Sequence, residues 1–239
     1  MKKLLLATAL IMTAGFASAD VVRLATEGAY PPFNFIDDKG EVAGFEREFG
    51  DEVCKRAALE CTWTTNEWDS IIPNLQSGNY DVIIAGMSIT DERSKVITFS
   101  ENYYPPAASA YLAASADADV KTGIVSAQVG TIQAAYVAES GATLLEFPTP
   151  DETVAAVRNG EAAAVFADKD YLRPFAAESN GALVFAGEDI AIGGGVGLGM
   201  RQSDTELKGK MDTAIKAMKA DGSLNVLIEK YFGPEGLKF

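Results

Sequence analysis

The chain has 239 residues, of which 48% are hydrophobic and 23% charged, and it carries a formal charge of -14 at pH 7 with no histidine. That acidic balance excludes a nucleic-acid partner, whose phosphates require a basic face. Without imidazole the commonest general base and metal ligand are gone, and the Ser or Cys triads with them, so an enzyme built on this chain must work with carboxylates, Lys or Tyr.

Lys2 and Lys3 precede an apolar run over residues 4–16, and Ala17-Ser18-Ala19 has the small-residue pattern of a cleavage site. Residues 1–19 therefore read as a secretory signal peptide. The apolar run is too short to span a membrane, and no later segment approaches that length. The mature chain is expected to be soluble and exported, into a bacterial periplasm, with Lys2 and Lys3 removed and the charge at -16. About 220 residues suffice for one large domain or two small ones. In an oxidising compartment Cys54 and Cys61, the two cysteines of the chain, are expected to form a disulfide.

Residues 21–26 read as a strand, and Gly28, Pro31 and Pro32 force a loop after it. Phe45, Phe49, Val53 and Ala57 recur at fours, which predicts an amphipathic helix leading Cys54 toward a strand over 61–65. A helix over 68–76 follows, with Pro73 near its start and Ser77-Gly78 as its stop. Asp69 and Asp91 read as helix-start acids.

The stretch over 80–93, YDVIIAGMSITDER, organises the chain. Its apolar run over 81–85 has the pattern of a strand covered on both faces, and Gly86 ends it. Thr90, Asp91 and Glu92 supply an N-cap and an acidic first turn. Ser88 and Arg93 thus sit just past a strand's carboxyl end, where open α/β sheets bind ligands. A hydroxyl beside a guanidinium fork suits an anion, most simply a carboxylate.

Beyond Arg93, residues 107–114 read as a β-capable crossing and 115–122 as a polar loop. A strand over 123–128, a helix opened by Gly130-Thr131 and a strand over 142–147 come next. Thr149-Pro150-Asp151-Glu152 is a capping box with Pro at the first helical position. The buried strand over 162–167 ends at Asp168. Gln76-Ser77-Gly78 before the strand that stops at Gly86 is echoed by Arg158-Asn159-Gly160 before the strand that stops at Asp168. Two similar α/β lobes follow, with Asp168 approaching Ser88 and Arg93 across a cleft. The glycine-rich residues 187–199 contain no GxGxxG in register and read as a flexible return to the first lobe. Ser203-Asp204-Thr205-Glu206 predicts a second capping box, and Ser223 begins a last helix that Gly233 stops.

The segments TEGAYPPFNF, GFEREFGDEVCKRAALECTW, WDSIIPNLQSGNYDVIIAGMSITDERSKVITFS, VGTIQAAYV and GVGLGMRQSDTELKGKMDTAIKAMKADGSLNVLIEKYFG together resemble the periplasmic polar amino-acid-binding proteins of ABC importers, solute-binding family 3. The resemblance implies a type II periplasmic binding protein fold: two α/β lobes, residues 20–106 with 195–239 and residues 107–194, joined by two hinge strands. It implies that Arg93, Ser88 and the backbone N–H of Thr131 take a ligand α-carboxylate. Asp168, Ser88 and the Gly86 carbonyl are implied to take the α-ammonium. Tyr30 and Trp68 match positions that flank the ligand side chain, Glu27 matches an acid that faces a basic or amide end group, and Gln128 and Gln133 occupy further pocket positions.

A receptor for a cationic amino acid is expected, since Glu27 beneath aromatic walls suits arginine, lysine or ornithine. Glutamine, histidine and a guanidinium-bearing opine are the alternatives. The expected partner is a membrane permease, the expected state a monomer, and no cofactor is expected. A cyclohexadienyl dehydratase-like enzyme on the same fold is the rival from another class, with Glu27 or Asp168 as its acid. A sensor domain of a kinase or channel would require a membrane span.

Overall fold

The computed structural model describes residues 21–239, so the predicted signal peptide lies outside the described residues. Two five-stranded sheets form the two lobes. In chain order the first lobe begins with β1 (Val22–Thr26), the short antiparallel ribbon β2 (Ala29–Tyr30), β3 (Asn34–Ile36) and β4 (Val42–Ala43), then α1 (Phe45–Arg56) and β5 (Cys61–Thr65). A 3-10 turn over Trp68–Ser70 leads into α2 (Ile71–Gln76), followed by β6 (Val82–Ile83), the one-turn α3 (Asp91–Ser94) and β7 (Thr98–Tyr104). The chain then passes to the second lobe: β8 (Ala108–Ala113), β9 (Ile124–Gln128), α4 (Ile132–Ser140), β10 (Thr143–Phe147), α5 (Pro150–Arg158), β11 (Ala164–Asp168), α6 (Lys169–Glu178) and β12 (Val184–Ala191). It returns through β13 (Val196–Met200) and ends in α7 (Thr205–Ala220) and α8 (Ser223–Phe232).

The first sheet has the order β5-β1-β6-β13-β7 and the second β10-β9-β11-β8-β12. In each, parallel strands (β5, β1 and β6; β10, β9 and β11) meet antiparallel ones. The lobes are therefore built alike, with β6 and β11 in equivalent places beside the antiparallel partner. Two crossings join them, after Tyr104 and before Val196.

Both lobes bury apolar cores. Leu24, Phe49, Val82 and Ile84 pack with Met211, Ile215, Met218, Leu224 and Ile228, so the last two helices complete the first lobe's core. Val154, Val157, Val165, Tyr171 and Leu172 fill one side of the second sheet, while Val125, Val137 and Phe166 fill the other. Among the described residues no helix is long and apolar enough to cross a membrane.

Several sequence expectations are corrected. The strand over 81–85 contracts to Val82–Ile83, although residues 82–85 are all buried as the apolar run implies. The helix over 68–76 divides into the 3-10 turn and α2, in which Pro73 is the third residue. The glycine-rich return is no flexible linker, since β13 lies inside the first sheet between β6 and β7 with all five residues buried. Gly197 and Gly199 are there for space: a Cβ on Gly197 would stand 2.9 Å from Ile89 Cδ1, and one on Gly199 3.2 Å from Ile97 Cδ1. The Thr149 capping box forms, with Glu152 Oε2 accepting the Thr149 N–H at 3.1 Å. The second does not: α7 starts after Asp204, which makes no side-chain cap, and Ser203 Oγ turns to Asp204 Oδ1 at 3.0 Å.

Cys54 in α1 is bonded to Cys61 at the start of β5. The two stand seven positions apart in sequence, so the loop-entropy estimate gives about 2–3 kcal/mol of stabilisation. Cys54→Ala with Cys61→Ala is expected to lower the free energy of unfolding in urea by that amount while the affinity for ligand stays within about twofold. An unchanged midpoint would show that the bridge closes a loop already ordered in the unfolded chain.

Candidate functional site

The two parallel strands beside each antiparallel partner, β6 in the first lobe and β11 in the second, both end at one cavity. It lies between the lobes. Glu27, Tyr30, Trp68, Gly86, Ser88 and Arg93 line it from the first lobe, and Gln128, Thr131, Gln133 and Asp168 from the second. All ten residues singled out in the sequence thus face one space. Ala85 and Ile132 also line it, and sequence reasoning missed both because neither carries a polar group.

Local structure explains how each group arrives. Gly86, three residues past the end of β6, has φ 61°, the left-handed region, and a Cβ there would meet the Tyr30 ring at 3.4 Å. The chain can therefore turn so that Ser88 pairs with Val196 of β13 and sits buried at the cavity wall. Thr90 caps α3, its Oγ1 accepting the Arg93 N–H at 3.1 Å. Arg93 then reaches back: Nη1 donates to the Ser88 carbonyl at 2.8 Å, Nη2 to the Gly130 carbonyl of the second lobe at 3.3 Å, and the guanidinium carbon lies 5.3 Å from the Trp68 ring centre. None of these partners is a carboxylate.

On the other side Asp168 ends β11 and accepts the Tyr30 hydroxyl at 2.8 Å. Tyr30 stacks on Tyr171 of α6, with centroids 4.2 Å apart and planes within 10°. Tyr171 was not anticipated from the sequence, because a stack between lobes leaves no local periodic signal. Gln128 Nε2 donates to Glu27 Oε1 at 2.6 Å and to the Pro148 carbonyl at 3.1 Å. Gln133 is buried and donates to Ser109 Oγ at 3.0 Å. Thr131 caps α4 through Oγ1, and its N–H makes a long bond of 3.4 Å to the Gln128 carbonyl.

Electrostatically the cavity is out of balance. Burial pushes the Glu27 carboxyl up to about 7, against the opposing donation from Gln128. It pushes Asp168 up to about 6, although Tyr30 donates to it and Arg93 attracts it. The Arg93 guanidinium is drawn down to about 10 by burial, with Asp168 opposing. All three groups are thus displaced toward their neutral forms, the signature of charges taken from water without sufficient partners. One basic and two acidic side chains, Arg93 against Asp168 and Glu27, face the cavity.

Two lobes joined by two crossings and closed over a charged cavity define a bilobal solute receptor. The chain belongs to the bacterial extracellular solute-binding proteins, family 3, whose sequence model matches residues 22–234. It is 30% identical over 258 residues to the lysine/arginine/ornithine-binding periplasmic protein of Escherichia coli, covering 97% of each chain. Among solved structures it is similar to a periplasmic His/Glu/Gln/Arg/opine family-binding protein from Silicibacter pomeroyi in complex with lysine, at 66% identity and a TM-score of 0.90 over 91% of this chain and 100% of that one. A further likeness, at 28% identity and a TM-score of 0.79 over 89% of this chain and 95% of that one, is to an ancestral amino-acid-binding protein that is a precursor of cyclohexadienyl dehydratase.

Proposed function

We propose that this chain captures a free cationic L-amino acid, of the lysine, arginine or ornithine type, in the periplasm and hands it to the membrane permease of an ABC importer. The observation that carries this reading is the charge count of the cavity, Arg93 against Asp168 and Glu27. Its complement, one carboxylate and two cationic groups, is a basic amino acid. Lysine in the structure of the protein that is 66% identical supports the same class.

In this reading Arg93, the Ser88 hydroxyl and the Thr131 N–H hold the α-carboxylate, and the guanidinium fork matches its two oxygens. Asp168, with Ser88 and the Gly86 carbonyl, holds the α-ammonium. Tyr30 and Trp68 flank the ligand stem, Glu27 takes the distal cation, and Gln128 and Gln133 fix their neighbours. The lobes, 20–106 with 195–239 and 107–194, close by rotation about the two crossings, and the bonds Tyr30–Asp168 and Gln128–Glu27 join them in the closed form. The receptor acts as a monomer after removal of its signal peptide, and it releases its ligand chemically unchanged.

Titration calorimetry with a panel of amino acids tests the reading. Lysine, arginine or ornithine is expected to bind, and Glu27→Gln is expected to weaken that binding by about 10- to 100-fold, the cost of unpairing one buried charge. The same variant should leave glutamine within about threefold, because no distal charge is lost. Heat from glutamine or acidic amino acids, with none from basic ones, refutes the proposal. Consumption of arogenate or prephenate would move the chain to the dehydratase class.

A further inference from the structure

Behind the cavity floor lies a buried acid that takes no part in the lining. Glu46, the second residue of α1, is fully buried, and its carboxylate accepts three hydrogen bonds. Asn34 Nδ2 donates to Oε2 at 2.7 Å, the Gly86 N–H donates to Oε1 at 2.6 Å, and the Tyr103 hydroxyl donates to Oε1 as well. None of the three donors is a cation. Burying a carboxylate without a counter-ion costs several kcal/mol, and an apolar residue of similar volume would hold a helix against a sheet at lower cost. The acid therefore requires a reason beyond packing.

Its donors supply one, since each belongs to a segment that shapes the cavity. Gly86 lines it. Asn34 uses its other amide atom, Oδ1, to accept the Gly28 N–H at 2.7 Å, and Gly28 follows Glu27 directly. Tyr103 lies in β7, one residue before the crossing to the second lobe. The 85–86 peptide is planar, so with its N–H turned to Glu46 the Ala85 carbonyl faces the opposite way. An acceptor-only group satisfies three converging donors at once. A glutamine there offers one oxygen and sets its own NH2 against that of Asn34, which the Gly28 N–H holds in place.

The geometry points to Glu46 as the positioning residue of the site: one buried carboxylate fixes the loop that carries Glu27, through Asn34 and Gly28, in register with the strand end at Gly86. The inference rests on reading the cavity as an amino-acid site. It makes selectivity for a distal cation depend on a residue that never touches the ligand.

The test compares the parent chain with Glu46→Gln and Asn34→Ala, using lysine and norleucine, which has the same carbon stem without the ammonium. Affinities are read by calorimetry and displacement at about 20 °C below each variant's melting midpoint, with circular dichroism checking the fold. Glu46→Gln is expected to weaken lysine by at least about tenfold and to narrow the lysine-over-norleucine ratio. Asn34→Ala, which keeps the Glu46–Gly86 bond, is expected to narrow the ratio alone. A Glu46→Gln protein that melts lower yet keeps lysine affinity and ratio within about twofold overturns the inference and leaves a packing role. Should that variant not fold, an unchanged ratio in Asn34→Ala overturns it equally. No heat from lysine with the parent chain refutes the underlying ligand reading and this inference with it, whereas lysine binding by the parent with an affinity and a lysine-over-norleucine ratio unchanged in both variants refutes this inference alone.

Discussion

Arg93→Ala is expected to lower the affinity for lysine by about 30- to 3,000-fold, because unpairing a desolvated charge pair costs roughly 2–5 kcal/mol. In the protein the guanidinium spends two donors on the Ser88 and Gly130 carbonyls and none on a carboxylate. A guanidinium has five, so those left are available to a ligand α-carboxylate. Arg93→Lys keeps the charge and loses the fork, and an intermediate loss is expected. Stability should not follow affinity. Burial draws the Arg93 guanidinium down, a cost that alanine removes, so the ligand-free variant is expected to melt no lower than its parent. A variant that binds lysine normally ends the zwitterion account, and one that melts early with normal binding assigns Arg93 to the fold.

Asp168→Asn is the second large effect and carries an opposite pH signature in binding and in stability. The ammonium needs the carboxylate, whose pKa in the ligand-free cavity is about 6, so affinity falls as pH drops below that value. Lysine affinity is also reduced through Glu27, which titrates near 7. Stability runs the other way. Between the unfolded value near 4 and the folded value near 6, the folded ligand-free protein holds a proton that the unfolded chain has lost, so this group's contribution falls as pH rises through the window. Asparagine removes the Asp168 part of both dependences and leaves that of Glu27. Lysine affinity is expected to drop by about 100-fold or more at pH 8. In urea the ligand-free variant should exceed its parent in stability at pH 7.5 and match it near pH 4. A parent affinity that is flat from pH 5 to 8, or a stability gap that widens toward acid, would show that Asp168 meets no cation.

Much of this site is legible in the primary structure because its devices are local. Gly86 ends an apolar run, Thr90 caps a helix that turns Arg93 back, and Asp168 follows a second apolar run at the same distance from a helix stop. Such punctuation is written within a few residues of the functional group. What escaped has a common cause, which is dependence on partners distant in the chain. Tyr171 is recognisable only through Tyr30, 141 residues earlier by sequence number and stacked on it across the cleft. Glu46 looks like any acid in a helix's first turn, where the macrodipole favours one, until its donors from three other segments are seen. β13 reads as linker because glycine is a poor strand former, whereas Ile83, Ile89 and Ile97 around it demand the missing side chains. α6 is amphipathic but carries Pro174 in its interior, a residue that reads as a helix breaker, and the Ser203 cap failed because Asp204 occupies the capping place.

The threading of β13 has a temporal corollary. Lobe two is drawn from one uninterrupted length of polypeptide and can assemble as soon as that length is available. Lobe one cannot: its sheet has a gap between β6 and β7 until the strand arriving after Ala191 fills it, and its hydrophobic interior awaits Met211, Ile215, Leu224 and Ile228. In a chain that emerges from its N-terminus the cleft thus comes into existence last.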